Sequence, residues 1–488
     1  MNAIKKIEKY PWIWLLTGLV LTLFTYGILS TCICAWLFAI PLLRYINIRT
    51  KWSSIVAMLI GMILVANIAF FRLVDDNPNI MNQVYCSLNG IRMCFPFIVY
   101  FLCRYFKAKP IAGYYAFPAA VAVCEFFIDN PFISVMTSLS VSQFYNISLM
   151  QVAGVTGVVG VSFIVTLFAS TVNYLWEAGR SKCARYQAAG YTAGLILILV
   201  IGGCSIPKVP AFDQTLRVAA SLENFNTLTD DVLNEYEGSE AEKRFDVSVD
   251  ILSERAKEAV TNESRLLVFP EDAFVCSTPD KDKFIAAAQS VAAENRVNIL
   301  FPLLIRSEEG GKNLNTLNFI DSSGTLVNTY KKNNLVPVIE EPYTEKGDGK
   351  TPIVEIDGVK IAYLICADYT SNKYAYNGRE ADILLNPSYD WKAFQHFTSY
   401  AIQARAIECG FSVLRNPVNG NIFLYDTYGR PVFMTNAENV HTGMAYLDIP
   451  TQGRQTFYGA TGNWFPWLCA AYAVFAVLSG VLQKRKQQ

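Results

Sequence analysis

The sequence predicts two architectures on one chain: a multi-pass α-helical membrane domain, and an α/β domain in which helices cover sheets. Three observations carry this. Of the 488 residues 52% are hydrophobic and only 17% are charged, an oily balance for a soluble protein. The excess is confined to residues 11–206 and 464–482, whereas 207–463 has ordinary globular composition. Within 207–463, β-branched runs alternate with helical patterns, which argues for layered sheets and helices. The expected organisation is a seven-helix transmembrane domain over 1–206, a soluble domain over 207–463, and a closing helix with a basic tail over 464–488.

Composition also excludes. The formal net charge is zero, which removes the electrostatic case for nucleic acid. The twelve cysteines do not form a disulfide framework, because only Cys276, Cys366 and Cys409 belong to the soluble part, and an odd number leaves a free thiol. Nothing has zinc-ligand spacing, so neither a metal nor a cofactor is expected. With His396 and His441 the only histidines, a Cys-His or Ser-His-Asp scheme has few ways to be built.

Eight candidate spans follow: 11–29, 31–47, 53–71, 86–103, 111–128, 149–175, 189–206 and 464–482. Most approach the ~20 apolar residues that a hydrocarbon core requires. The first follows Lys5, Lys6 and Lys9 and reads as a retained anchor. Basic clusters recur on alternate loops, at Arg44, Arg49 and Lys51, at Arg104, Lys107 and Lys109, at Arg180, Lys182 and Arg185, and at Lys484, Arg485 and Lys486. The intervening short segments carry only Arg72 and Lys208. The positive-inside rule then puts both termini in the cytoplasm and 207–463 outside it.

In the soluble part the expected order is strand Thr215–Leu222, helix 229–260, strand Arg265–Phe269, helix 280–295, strand Val297–Leu304, and shorter strands at 314–321 and 325–330. A strand leading to Cys366, another at Ala381–Leu385, a helix near 393–408 and four short strands ending near Leu447 complete it.

The chemistry is expected at strand ends. Val359-Lys-Ile-Ala-Tyr-Leu-Ile-Cys366 is an apolar run bounded by Asp357-Gly358 and Ala367-Asp368, so Cys366 lies where α/β sheets present reactive groups. Arg265–Phe269 delivers Glu271, and 325–330 delivers Lys331 and Lys332. Cysteine attacks as thiolate. Glu271 can take the thiol proton, and Lys332 can lower the thiol pKa and stabilise a tetrahedral oxyanion. Taken singly, a cysteine is more often a small buried hydrophobe, a Glu after Pro a turn residue, and paired lysines solvated.

Their surroundings add specificity. Tyr330-Lys-Lys332-Asn-Asn-Leu335-Val336-Pro337-Val-Ile-Glu340 and Phe269-Pro270-Glu271 resemble segments of the nitrilase superfamily, and closely those of its membrane branch, the apolipoprotein N-acyltransferases. Ala404-Arg405-Ala406-Ile407-Glu408, Arg415-Asn416, Asn419-Gly420 and Thr456-Phe-Tyr458 are similar to segments that follow the family's nucleophile. Phe117-Pro118 through Glu125, and Gln151 with Gly154, Gly157 and Gly160, resemble its membrane part, so the likeness covers nearly the whole chain. Where the family has Tyr and Glu after the nucleophile this chain has Ala367 and Asp368, and its first soluble strand reads Ala220-Ser-Leu222-Glu-Asn224.

The resemblance implies a nitrilase-like αββα sandwich outside the cytoplasmic membrane of a bacterium. It also implies a Glu271, Lys332, Cys366 triad supported by Glu340, by the Ala367 N–H and by Asp368. Cys366 would take an acyl chain from a phospholipid as a thioester, and the α-amino group of a diacylglyceryl-modified N-terminal cysteine on an apolipoprotein would receive it. Neither lipid leaves the membrane cheaply, at ~0.8 kcal/mol per CH₂, so a monomer embedded by helices on both flanks suits the task. Tyr389 and Trp391 are candidates for the acyl entrance, or simple packing residues. Glu125 and Arg92 are candidate lipid contacts within spans, or interfacial and snorkelling residues. Three other readings remain open: a membrane-anchored amidase or nitrilase-type hydrolase using water, a non-catalytic lipid- or lipoprotein-binding relative, and a transporter, which the few charges within the spans disfavour.

Overall fold

The computed structural model describes residues 8–26, 29–70, 80–127, 138–179, 181–208, 214–222, 238–307, 310–337, 339–390, 397–418, 420–435 and 443–486. The chain forms two compact units: one runs to Ile206 and resumes at Ala460, and the other holds Pro207–Gly459.

In the first unit, six helices among the described residues are long and apolar enough to cross a membrane: Trp52–Ala69, Gln83–Tyr105, Pro110–Phe127, Val158–Ala178, Lys182–Ser205 and Trp464–Arg485. Three of the eight expected spans are shaped differently. The first is a helix only over Pro11–Leu23. The second is divided at Phe38 into Cys32–Leu37 and Ala39–Ile48. The sixth begins as two short turns, Ile147–Met150 and Ala153–Thr156, and becomes a long helix only after Gly157. Gly157 has φ +74°, a conformation that interrupts a right-handed helix and that glycine adopts without steric cost. Close helix approach also uses small residues: a Cβ on Gly90 would stand 2.6 Å from the Ile63 Cα.

The second unit is built on two sheets. Strands β1 (Thr215–Ser221), β2 (Leu266–Val268), β3 (Val275–Ser277), β4 (Asn298–Arg306), β5 (Leu314–Ile320) and β6 (Leu326–Lys331) belong to the first. Strands β7 (Ile353–Ile356), β8 (Val359–Tyr363), β9 (Ile383–Tyr389), β10 (Ser412–Val418), β11 (Phe423–Tyr425) and β12 (Pro431–Met434) form the second, while β13 (Met444–Pro450) returns to the first. The first sheet has the order β13-β1-β2-β4-β5-β6 with β3 beside β4, and the second β12-β11-β10-β9-β8-β7. In each sheet a parallel centre, β1-β2-β4 or β8-β9-β10, is flanked by antiparallel edges.

The sheets face one another. Tyr363 of β8 stacks over Phe319 of β5, and Asn416 of β10 donates to the Val268 carbonyl of β2. Helices Glu240–Thr261 and Lys281–Asn295 cover the outer side of the first sheet through Leu252, Ala256, Phe284, Ala288 and Ala292. Helix Phe397–Cys409 packs on the second, with the Gln403 amide on the Gly429 carbonyl. The result is a nitrilase-like αββα sandwich. The first helix starts at Glu240 because Ser239 and Glu242 form a reciprocal capping box; 229–237 lie outside the described residues. β9 runs beyond the expected Leu385, through Asn386-Pro387-Ser388, to Tyr389.

Candidate active site

β2 ends at Val268, and Phe269-Pro270 carry the chain to Glu271, which is 2% exposed. Its Oε1 accepts from Asn315 Nδ2 of β5 at 2.8 Å and from Lys332 Nζ at 2.8 Å. Lys332, 1% exposed, directly follows β6 and is fixed by its own N–H on the Asn315 carbonyl. A second carboxylate holds the same ammonium: Glu340 Oε1 stands 2.6 Å from Nζ, and its Oε2 accepts from the Val336 N–H at 2.8 Å. Burial disfavours the charged lysine, but Glu271, Glu340 and Cys366 outweigh it and hold its pKa well above the usual value. Lys332 is therefore a fixed cation at neutral pH.

β8 ends at Tyr363, and Cys366 opens a 3₁₀ turn, Cys366–Thr370, with φ +40°. A left-handed conformation at a residue with a Cβ costs on the order of 1–3 kcal/mol and persists only where neighbours enforce it. The thiol donates to the Tyr389 carbonyl at 3.7 Å, and the Tyr389 N–H donates to Glu271 Oε2 at 2.9 Å. Burial raises the Cys366 pKa, Glu271 adds to this, and Lys332 and Arg415 only partly oppose it. Lys332 acts in the expected direction but does not win. The resting group is a thiol, and any reaction that used its sulfur as a nucleophile would need a base to remove the proton.

Asp368 anchors the turn. Its Oδ2 accepts from the Tyr330 hydroxyl at 2.6 Å and the Ile365 N–H at 3.1 Å, and its Oδ1 from the N–H groups of Asn333 and Asn334. One carboxylate thus ties the chain before Cys366 to the chain after Lys332. Ala367 is buried, its carbonyl held by Asn334 Nδ2 at 2.9 Å.

The other sequence candidates are dispersed. Tyr389 reaches the site through its backbone, where the sequence reading looked to its ring. Trp391 lies outside the described residues. Arg92 and Glu125 belong to the first unit, where they line one cavity with Tyr26 and Phe117. There Glu125 accepts from Ser138 Oγ at 2.7 Å and the Leu139 N–H at 2.9 Å.

Sequence reasoning gives no role to three groups, one of which, Arg415, enters it only as part of a motif. Asp272, with φ +59°, keeps a buried Oδ1 without a hydrogen-bond partner beside Glu271. Burial and the charges of Glu271 and Glu340 push its carboxyl up to about 7, against the pull of Lys332 and Arg306. Arg415 and Asp390 form a fully buried ion pair behind Cys366. An arginine inside the apolar run of β10 was the available signal for this pair.

A carboxylate that shares one peptide group with a thiol, and one buried ammonium with a second carboxylate, matches the chemistry of covalent acyl transfer. The family model for carbon-nitrogen hydrolases matches residues 240–467. The chain carries a carbon-nitrogen hydrolase domain. Around that domain the likeness to apolipoprotein N-acyltransferases extends over most of the chain. A protein of that name from Brucella melitensis is 24% identical over 371 residues, 68% of this chain and 66% of its own length. Another from Geobacter metallireducens is 25% identical over 431 residues, 80% of this chain and 78% of its own. "Apolipoprotein N-acyltransferase 2" of Treponema denticola is 23% identical over 83% of this chain and 80% of its own. Among solved structures, an amidase from Nesterenkonia sp. AN1 superposes with TM-score 0.41 at 16% identity, over 50% of this chain and 94% of the amidase.

Proposed function

We propose that this chain is a bacterial apolipoprotein N-acyltransferase acting by two acyl transfers through Cys366. The observation that carries the reading is the Tyr389 peptide, whose carbonyl accepts from the Cys366 thiol while its N–H donates to Glu271. Glu271 takes the thiol proton as sulfur attacks the ester carbonyl of a phospholipid. Lys332 stabilises the oxyanion. Collapse breaks the C–O bond, and Glu271 returns the proton to the leaving lysophospholipid alkoxide. In the second half, the α-amino group of a diacylglyceryl-modified N-terminal cysteine attacks the thioester and loses a proton to Glu271. The C–S bond breaks, an amide forms, and the proton returns to sulfur. Glu340 keeps Lys332 in place, Asp368 holds the turn, and the Ala367 N–H is a second candidate donor to the oxyanion.

The names of the relatives and the six apolar helices support a membrane-embedded acyltransferase over a soluble amidase. The alternating basic clusters support a cytoplasmic-membrane location with 207–463 on the periplasmic side and both termini cytoplasmic. The change in apolar content supports domain boundaries at 206 and 463, the second a few residues beyond Gly459, where the compact unit ends. No cofactor is invoked at any step.

Intact-mass analysis after incubation with phospholipid tests this. The expected result is one acyl adduct, absent in Cys366→Ser, that a diacylated N-terminal peptide clears faster than water does. Clearance by water alone makes the chain a hydrolase. A wild-type protein that never acquires the adduct makes it a binding relative.

A further inference from the structure

Cys366 occupies a backbone conformation that a side chain resists, so something must hold it. Asn386, in the extension of β9, spans the turn: its Nδ2 donates to the Leu364 carbonyl at 3.1 Å and to the Cys366 carbonyl at 3.2 Å. The Asn386 Oδ1 accepts from Ser388 Oγ at 3.2 Å and from Arg415 Nη1. The other terminal nitrogen of the guanidinium, Nη2, donates to Asp390 Oδ1. Asp390 adjoins Tyr389, whose peptide touches both Cys366 and Glu271. Its Oδ2 accepts from Thr398 Oγ1 at 3.1 Å, and its N–H donates to the Val418 carbonyl at 3.0 Å. The guanidinium carbon lies over the Tyr369 ring, 4.9 Å from its centre, and Tyr369 is part of the Cys366 turn. Arg415 is itself 1% exposed.

We propose that Arg415 is the positioning residue of this site, its planar fork setting the distance between Cys366, held through Asn386, and Glu271, held through Asp390 and the Tyr389 peptide. The inference rests on the acyl-enzyme reading above. A fork fixes two partners at once, which a lysine ammonium on a flexible stem does not reproduce. The pair is also costly to bury and to break on one side, so a purely structural role has no need of it.

The test is acyl-enzyme formation by the full-length protein in detergent micelles containing phosphatidylethanolamine, followed by intact mass. Arg415→Lys keeps the charge and much of the volume but loses the fork. Its saturating rate is expected to fall about tenfold or more, with the half-saturating lipid concentration unchanged, because misplacement by a fraction of an ångström acts on the reacting geometry and not on lipid binding. If the single variant does not fold, Arg415→Met combined with Asp390→Leu removes both charges together, and the same drop is expected. A saturating rate within twofold of wild type in a folded variant overturns the assignment while leaving the acyl-enzyme reading intact. Equal losses in rate and in lipid affinity also overturn it, since they indicate general loosening. A wild-type protein without a Cys366 adduct sinks the acyl-enzyme reading and this inference with it.

Discussion

Glu271 and Cys366 are joined through a single peptide group, that of Tyr389, whose N–H binds the carboxylate at 2.9 Å and whose carbonyl receives the thiol at 3.7 Å. The relationship explains why β9 runs four residues past its expected end: the added segment brings that peptide between two sheets. It also separates two functions of the same negative charge. Glu271 raises the thiol pKa at rest and, in the reaction proposed above, accepts its proton, so on that proposal the sulfur stays unreactive until an ester is present.

Glu271→Gln keeps the shape but removes the base, and it sets an amide N–H against either the Tyr389 N–H or the Asn315 and Lys332 donors. Acyl-enzyme formation is expected to slow by about 10²–10⁴-fold, with a lowered melting temperature because one side of the buried pair with Lys332 is lost. Stopped-flow release of lysophospholipid reads the rate. Retained activity would show that another group removes the thiol proton.

Lys332→Met strips the cation from between Glu271 and Glu340, which are 2.8 and 2.6 Å from its Nζ. Breaking one side of a buried pair costs about 3–5 kcal/mol, so the melting temperature should fall and the adduct disappear. Adding Glu340→Gln should recover part of the stability and none of the activity. Thermal denaturation of the two variants, compared with the adduct assay, separates the effects.

Asp272 makes stability depend on pH. Its folded carboxyl titrates at about 7 against an ordinary value of 3.8, so the folded state holds this proton more tightly than the unfolded chain. The stability it contributes is fully present below about pH 4 and is lost as the pH rises through 7. Asp272→Asn, which cannot ionise, is expected to match wild type at pH 4 and to exceed it by about 1–3 kcal/mol at pH 8. Denaturant titrations at the two pH values check this, and a gain independent of pH would contradict it.

The fold class was legible because apolar content changes abruptly at 206 and because strand and helix periods alternate beyond it. Glu271 and Cys366 could be nominated because each closes an apolar run, whereas Lys332 was told from Lys331 only by the resemblance of Tyr330–Glu340 to a nitrilase-superfamily segment. Arg415, Asn386 and Asp390 could not be given roles. Their partners are tens of residues away, and a buried charge is intelligible only once its counter-charge is placed. Tyr389 misled for a different reason: it acts through backbone atoms, about which residue identity is silent. The first apolar segment was read as a full span, and the second as a short or tilted one, because composition registers apolar length and not where a helix stops, at Leu23 in one case and Leu37 in the other.

Asp368 stands where relatives in the resembled family carry a longer acid, and its four acceptor contacts are filled by groups on both sides of the site. Asp368→Asn preserves volume but turns one acceptor into a donor facing N–H or O–H groups. Whichever way the amide settles, at least one buried donor among Tyr330, Ile365, Asn333 and Asn334 loses its partner. That costs about 1–3 kcal/mol. Because those donors link the Cys366 turn to the loop after Lys332, acylation should slow more than unfolding accelerates. Asp368→Glu keeps the charge but adds a methylene in a fully buried site, at about 1–3 kcal/mol of overpacking. Both variants should therefore melt lower than wild type, while Asp368→Glu retains the greater share of acylation. Single-turnover acylation measured beside thermal melts tests the ordering, and an Asp368→Asn protein that acylates at the wild-type rate would show that the carboxylate serves stability alone.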